Sequence, residues 1–481
     1  TSLGVILMLN WQIGVTVLIV AILIMALSRY VSLGSIIAAI IYPILLTGYI
    51  MGARGFETAK VESQYAIITG IIMALLLIMK HRSNIKRLLK GNENKLFSKK
   101  KGSANDKINL GFIGLGQQAI HLMNGFITIP EVRIVAGCDI YDIKRDRFEQ
   151  RVNKYYADNK IKNKFTMYVR YEELLARPDI DAVVIATPDH QHALMAIAAC
   201  KAGKDVYLEK PLTFTVYEGQ RLIEAVRANN RILQTGSMQR SMDEFIHAAN
   251  IVREGKLGKI STMYAFAGEG PKPYTLPKQE VPAGLDWDLW LGPLPASIHY
   301  NHEVVPLIVE HDNDECWGAW RWYKGLGGGF TTDWGAHMFD IGQWMIGKDL
   351  SGPTEILPPS ASLHRVLTYR YDNGIEMVHK NVGYGQSVKV IGENGWIMVK
   401  RGKFEASNPD LMPKTVDQKA VYETNVPHYQ SFIDSIRSRR DPSVPVEVGH
   451  SSCVVCTIGN IAYELNRPLE WNPIVQKFMG D

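Results

Sequence analysis

Hydrophobic and polar positions follow two different patterns along this chain, and the change falls near residue 107. Before it, long apolar runs cover roughly Leu3 to Leu27, Leu33 to Met51 and Tyr65 to Met79, parted by connectors that carry Arg29 and then Arg54, Glu57, Lys60 and Glu62. An apolar helix of about 20 residues matches the hydrocarbon thickness of a bilayer, and a shorter one serves with interfacial help. The runs therefore predict an all-α segment of three transmembrane helices over residues 1–80. A cleavable signal peptide accounts for one run only and needs a basic start that is missing here.

After residue 107 the apolar runs shorten. Leu110–Ile113, Val132–Cys138, Ala182–Ala186 and Asp205–Leu208 have the length of buried strands, and helical patterns such as Ala193–Ala202 lie between them. This alternation predicts an α/β Rossmann domain over residues 108–236. From 237 to 481 the pattern is one of hairpins and helices. SLHRVLTYRY and IEMVHKN flank Asp372-Asn373-Gly374, and SVKVIG and WIMVKR flank Glu393-Asn394-Gly395. HYQSFIDSIRSRR and Ser451–Leu465 read as helices that pack back on the body, so the second domain is α+β.

Charge adds a direction. The formal net charge of +5 owes much to Lys80, Arg82, Lys86, Arg87, Lys90, Lys95, Lys99, Lys100 and Lys101, which crowd the exit of the third run. By the positive-inside rule that exit and everything after it face the cytoplasm, and the cluster does not indicate nucleic-acid binding. Residues 81–107 form this basic segment and a polar linker ending in FSKKKGSANDK. Five scattered cysteines suit a reduced compartment. Cys453 and Cys456 form a C-x-x-C inside a helical pattern with no second pair, which reads as helix core rather than metal or redox chemistry.

Two stretches carry chemistry. In NLGFIGLGQQAIH, from Asn109 to His121, a strand runs into Gly114-Leu115-Gly116-Gln117-Gln118-Ala119 and then a helix. Gly114 suits a tight turn, Gly116 leaves room for a pyrophosphate on the helix N-terminus, and Ala119 allows close packing. Alone, such a turn fits many α/β proteins. Asp139, 23 residues after Gly116 at the end of the next apolar run, stands where a carboxylate for ribose hydroxyls is expected, and Lys144 and Arg145 leave NADP open beside NAD.

The second stretch is Gly327 to Asp340, in which Asp333 and His337 stand four residues apart, on one face if they share a helix. The spacing fits an acid–base pair, a helix cap with a core histidine, or half of a metal site, for which no further Cys or His cluster is present. Trp317, Trp320, Trp322 and Tyr323 are suited to wall a sugar-sized pocket, and Tyr300, Arg321 and His428 are further candidates for substrate contact. His190 and His192 fit either the cofactor side or a helix N-cap neighbourhood.

Five motifs in this order, GFIGLGQQA, ATPDHQHA, EKPLT, QTGSMQRS and GGGFTTDWGAHMFDIGQW, resemble the Gfo/Idh/MocA oxidoreductases from about Lys107 to the C-terminus. The resemblance implies a Rossmann domain followed by an α+β domain with a large, mainly antiparallel sheet, whose open face joins subunits into homo-oligomers. It implies catalytic roles for Lys210, Asp333 and His337. It also implies cofactor contacts at Gly114, Gly116, Gln117, Gln118, Asp139, Thr187, Pro188, His192, Glu209 and Lys210. The implied activity is NAD(P)-dependent hydride transfer to or from a sugar, polyol or related hydroxy compound. Some relatives instead use transient oxidation to cleave glycosides, and a tethered sensor that holds the cofactor without turnover is a further alternative.

RYVSLGSIIAA and KHRSNIKRLLKGNENK resemble the C-terminal half of the PlsY glycerol-3-phosphate acyltransferases, over about the first hundred residues. That resemblance implies active-site roles for His81, Arg82, Asn84 and Arg87 with an acyl phosphate donor. The family's glycine-lysine-glycine phosphate loop is absent and the chain begins at Thr1, so this part is expected to be an inactive fragment, fused in frame or kept as an anchor.

Overall fold

The computed structural model describes residues 11–28, 31–54, 62–80, 107–307, 317–413 and 426–480. It divides the chain into two units, Thr1–Asp106 and Lys107–Asp481. The first holds α1 (Trp11–Ser28), α2 (Val31–Arg54) and α3 (Glu62–Lys80). Ile13, Val17, Tyr42 and Leu46 form its small buried cluster, while Trp11, Ile19, Ile22, Leu23, Ile44, Leu75, Leu76 and Met79 are exposed.

The three membrane spans expected over residues 1–80 are not shown. Among the described residues, no helix is long and apolar enough to cross a membrane. The run expected from Leu3 is described as helix from Trp11 to Ser28, and residues 3–10 lie outside the described residues. The third carries Glu62 and Lys80 at its ends. His81, Arg82, Asn84, Arg87, the rest of the basic linker up to Asp106, and Cys316 lie outside the described residues.

In the second unit, β1 (Ile108–Ile113), α4 (Gln117–Phe126), β2 (Val132–Cys138), α5 (Asp142–Asp158), β3 (Thr166–Tyr168), α6 (Tyr171–Leu175), β4 (Ala182–Ile185), α7 (Asp189–Lys201), β5 (Asp205–Leu208), α8 (Val216–Ala228) and β6 (Leu233–Thr235) alternate as the apolar runs predict. Their sheet is parallel in the order β3-β2-β1-β4-β5-β6. The order reverses between β1 and β4, which opens a crevice beyond the carboxyl ends of those strands, the place where such sheets bind ligands.

The remainder comprises α9 (Asp243–Arg253), β7 (Ile260–Phe266), α10 (Trp287–Leu291), α11 (Phe330–Asp333), α12 (Gly335–Met345), β8 (Glu355–Leu357), β9 (Thr368–Arg370), β10 (Glu376–Val378), β11 (Ser387–Gly392), β12 (Gly395–Lys400), β13 (Lys403–Ala406), α13 (Val426–Ser438), α14 (Val446–Leu465), β14 (Leu469–Asn472) and β15 (Lys477–Phe478). Its nine-stranded sheet runs β13-β12-β11-β7-β10-β9-β8-β14-β15 and is antiparallel except between β7 and β10. Both expected hairpins form, with Arg370 opposite Glu376 and Gly392 opposite Gly395. Gly374 (φ 80°) and Gly395 (φ 130°) supply the turn conformations that L side chains avoid.

One face of this sheet packs on α9, α12 and α14 through Phe245, Met338, Phe339, Val455 and Ile458. Cys453 and Cys456 are buried free thiols in that helical layer, so the C-x-x-C is core. The return of the C-terminal part is more intimate than the sequence suggests. Tyr429, Phe432 and Ile433 of α13 belong to the apolar core of the parallel-sheet domain, beside Phe126 and Tyr207, although they follow it by some two hundred residues.

Candidate active site

The glycine turn after β1 is built for close approach. Gly114 has φ 80°, and a Cβ there would lie 2.7 Å from Thr187 Cγ2 and 2.8 Å from the Thr187 nitrogen. Gly116 caps α4, and a Cβ on it would meet nothing within 4 Å, so the space over the helix N-terminus is open. Asp139 locks the turn: its Oδ2 accepts from the Leu115 N–H at 2.7 Å and its Oδ1 from the Tyr141 N–H at 2.9 Å. A carboxylate has about four lone-pair sites, so acceptor capacity remains for a diol. Together with Gln117, Gln118, Thr187 and Pro188, these residues line a cavity of about 380 Å³. Gln117 Oε1 and Thr187 Oγ1 are buried polar atoms without a partner, and such atoms suit a polar ligand.

Behind this cleft, Gln118 Nε2 donates to Glu209 Oε1 at 3.0 Å, and the Lys210 N–H donates to Glu209 Oε2 at 3.1 Å. His192, expected as a cofactor contact, has a different place. Its ring nitrogens stand 2.8 Å from the Pro211 carbonyl oxygen and 2.9 Å from that of Thr187, and the residue is 1% exposed, so it ties the two loops from behind. His190 is tied in the same way to the Trp290 carbonyl oxygen.

Next to the cleft and sharing Gln118, Thr187, Trp317, Trp320 and Arg321 with it lies a cavity of about 800 Å³. Lys210, delivered by the end of β5, donates from Nζ to Asp333 Oδ1 at 2.7 Å and to the Asp333 carbonyl at 3.2 Å. Arg321 Nε stands 3.5 Å from the same Oδ1. Asp333 ends α11 and His337 lies in α12, so the pair straddles a helix break at Trp334 instead of sharing one helix. The triple glycine brings its backbone close to the neighbouring loop: at Gly329 (φ 71°) a Cβ would lie 2.4 Å from the Gly270 carbonyl carbon. Trp322 and Phe330 stack at 3.9 Å in one wall. Of the three further candidates, only Arg321 lines the cavity. Tyr300 donates to the Val305 carbonyl, and His428 is spent on Ser241 and the Thr235 carbonyl.

Two lining residues were given no role by the sequence: Arg401 belongs to none of the motifs, and Asp189 sits inside ATPDHQHA without one. Arg401, in the turn between β12 and β13, places Nη2 3.0 Å from His337 Nε2 and its guanidinium 4.7 Å over the Trp334 ring. Asp189 opens α7 under Pro188 and is 5% exposed. Among the described residues no group of three or more His, Cys, Asp and Glu side chains is arranged to hold a metal ion.

Comparison with known proteins places this geometry. Residues 108–237 match the model described as "Oxidoreductase family, NAD-binding Rossmann fold", and residues 261–481 its companion, "Oxidoreductase family, C-terminal alpha/beta domain". Inositol 2-dehydrogenase of Salmonella typhimurium is 30% identical over 343 residues, 68% of this chain and 82% of that protein. The chain belongs to the Gfo/Idh/MocA oxidoreductases. A glycosyl hydrolase family 109 protein of a Shewanella species is 30% identical over 160 residues, 32% of this chain and 34% of that protein. Among solved structures, levoglucosan dehydrogenase in complex with NADH aligns with TM-score 0.54 at 17% identity, over 76% of this chain and 99% of that one, a likeness of fold. Residues 1–91 match the glycerol-3-phosphate acyltransferase model. The chain is thus an NAD-dependent oxidoreductase preceded by an acyltransferase-like segment.

In this oxidoreductase the site's electrostatics divide its acids. Burial pushes Asp333 up, but Lys210, Arg321 and Arg401 together outweigh it and hold the carboxylate below its ordinary range. Burial carries Asp189 to about 7 against the pull of Arg321 and Lys210, with the Asp333 charge adding to the rise. His337 is held well below the usual imidazole range by burial, then by Arg401 and Lys210, so its ring is neutral. Burial also raises Glu209, with Lys210 and Gln118 opposing it.

Proposed function

We propose that this oxidoreductase moves a hydride between NAD and a secondary alcohol of a polyol or sugar, with His337 as the base. The observation that carries the reading is the cluster of Lys210, Asp333 and His337 on the wall of the cavity that adjoins the glycine-turn cleft. The inositol 2-dehydrogenase relative supports the substrate class. Gly116, Gln117, Gln118, Asp139, Thr187, Pro188 and Glu209 would hold or back the cofactor, which supplies the hydride acceptor when bound. On the protein's side, Nε2 of neutral His337 takes the hydroxyl proton, and Lys210 stabilises the oxygen while negative charge develops. Asp333 fixes Lys210 by its ion pair. The full chain, titrated with NADH and NADPH and assayed on polyols and sugars, tests the reading. His337→Ala and Lys210→Ala should each lower kcat by about 10²–10⁴-fold, and normal turnover in either variant refutes its assigned role.

A second reading, glycoside cleavage by transient oxidation, is favoured by Asp189. Removing a proton next to a newly formed carbonyl needs a further group, and a cavity-lining carboxyl with its proton affinity near neutrality suits that work. Release of free sugar without net change in NADH absorbance would select it.

For the N-terminal unit we infer membrane association without acyl transfer. The exposed apolar side chains of α1, α2 and α3 support this. Flotation of the full chain with lipid vesicles tests it, and a chain that stays at the bottom of the gradient overturns it.

A further inference from the structure

A guanidinium is donor-only and stays protonated, so the 3.0 Å contact between Arg401 Nη2 and His337 Nε2 has one chemical meaning: the arginine donates and Nε2 accepts. The ring proton of neutral His337 then resides on Nδ1. That atom is buried and has no partner in the structure, so Nε2 is the ring's one lone pair beside the cavity. Arg401 is itself oriented: Nε donates to Gln239 Oε1 at 3.1 Å, the guanidinium plane covers Trp334, and the following Gly402 N–H donates to Glu244 of α9 at 3.0 Å.

We propose that Arg401 is a positioning residue that sets the tautomer and the charge of His337, and so presents a neutral Nε2 lone pair to the substrate. The inference rests on the proposed role of His337 as base, and it deepens that role. A histidine free to choose its tautomer would place a proton on Nε2 in part of the molecules and be useless as a base there. Arg401 prevents this by donating to Nε2 until a substrate hydroxyl takes its place, and then remains within reach of the oxygen from which the proton leaves.

Other titratable groups face the same cavity from the neighbouring elements: His121 on α4, Lys210 and Glu209 after β5, Asp189 on α7, Arg321 ahead of α11, Asp333 on α11 and Tyr429 on α13, while Cys456 of α14 lies against Gly335. None of these is hydrogen-bonded to the ring, whereas Arg401 touches it. The direct electrostatic effect of Arg401 is therefore separable from theirs by substitution.

The test uses the full chain, saturated with NADH and labelled with ¹⁵N-histidine. Its 13 histidines are few enough for the His337 signal to be assigned by its loss in His337→Gln. In the unaltered chain the expected result is a single Nδ1–H tautomer that stays neutral below the usual histidine range. In Arg401→Met the Nε2–H tautomer should appear and the titration midpoint should rise by about one pH unit or more. Arg401→Lys, which keeps the charge and a donor, should keep the low midpoint. An Nε2–H tautomer in the unaltered chain, or an unchanged midpoint in Arg401→Met, overturns the proposal. Should Arg401→Met fail to bind NADH, the tautomer of the unaltered chain and the midpoint of Arg401→Lys decide in its place. Failure of the underlying reading shows elsewhere, as turnover that survives His337→Ala.

Discussion

At the scale of single residues, the site works by separating like groups. Asp333 and Asp189 are both buried carboxyls, but an ion pair at 2.7 Å keeps the first ionised while burial carries the second to about 7. A carboxyl whose folded value is raised stabilises the fold fully below its unfolded value, near 3.9, and loses that contribution as pH rises through about 7. The penalty for ionised Asp189 is at most roughly 4 kcal/mol. Asp189→Asn should therefore gain stability relative to the parent at pH 8 and gain much less at pH 5, as read by urea unfolding at the two values. An equal gain at both would show that Asp189 ionises freely in the folded protein.

At the scale of elements, the two glycines of the turn separate folding from binding. An alanine at Gly114 meets the Thr187 backbone, so it should cost stability and weaken NADH together. An alanine at Gly116 meets no protein atom, so the melting temperature should stay within a few degrees while NADH affinity falls at least about tenfold, measured by fluorescence titration. The turn was legible in the sequence because it is local: strand, turn and helix follow within thirteen residues. The support of α12 was not. Arg240 makes a bidentate pair with Asp340, both bonds 2.8 Å, and a third bond to Asp349 at 2.9 Å, while being 7% exposed. Arg240→Ala leaves the buried Asp340 with the Ser452 hydroxyl but without its counter-charge and should cost about 3–5 kcal/mol in denaturant unfolding, with a loss of turnover because Asp340 lies one helical turn from His337.

At the scale of the whole molecule, the unit from Lys107 onward is held together by a chain that returns. Phe432 of α13 is fully buried against Phe126 and Tyr207, on the far side in sequence from the domain it completes. Phe432→Ala should destabilise the cofactor-binding domain by about 3–5 kcal/mol, seen as a lower melting temperature that NADH partly restores. A variant as stable as the parent would show that the packing of α13 is dispensable. The N-terminal unit adds three helices with exposed apolar surface, and its acyltransferase-like signature residues from His81 to Arg87 lie beyond the described helices.

The sequence alone determined the parallel α/β order, the glycine turn with Asp139 and the two hairpins, and its resemblance to a family picked out Lys210, Asp333 and His337 as candidates. The first three are short-range patterns whose physics, whether strand period, turn geometry or helix start, is written within a few neighbouring residues. Tertiary structure alone decided what those residues face. It joined Lys210 to Asp333 across 123 residues and Arg401 to His337 across 64, turned His192 away from the cofactor cleft, and buried Asp189 beside cations. Contacts that distant leave no periodicity in the chain, because the hydrogen bond that sets a tautomer and the burial that shifts a carboxyl exist only once remote loops have been brought together.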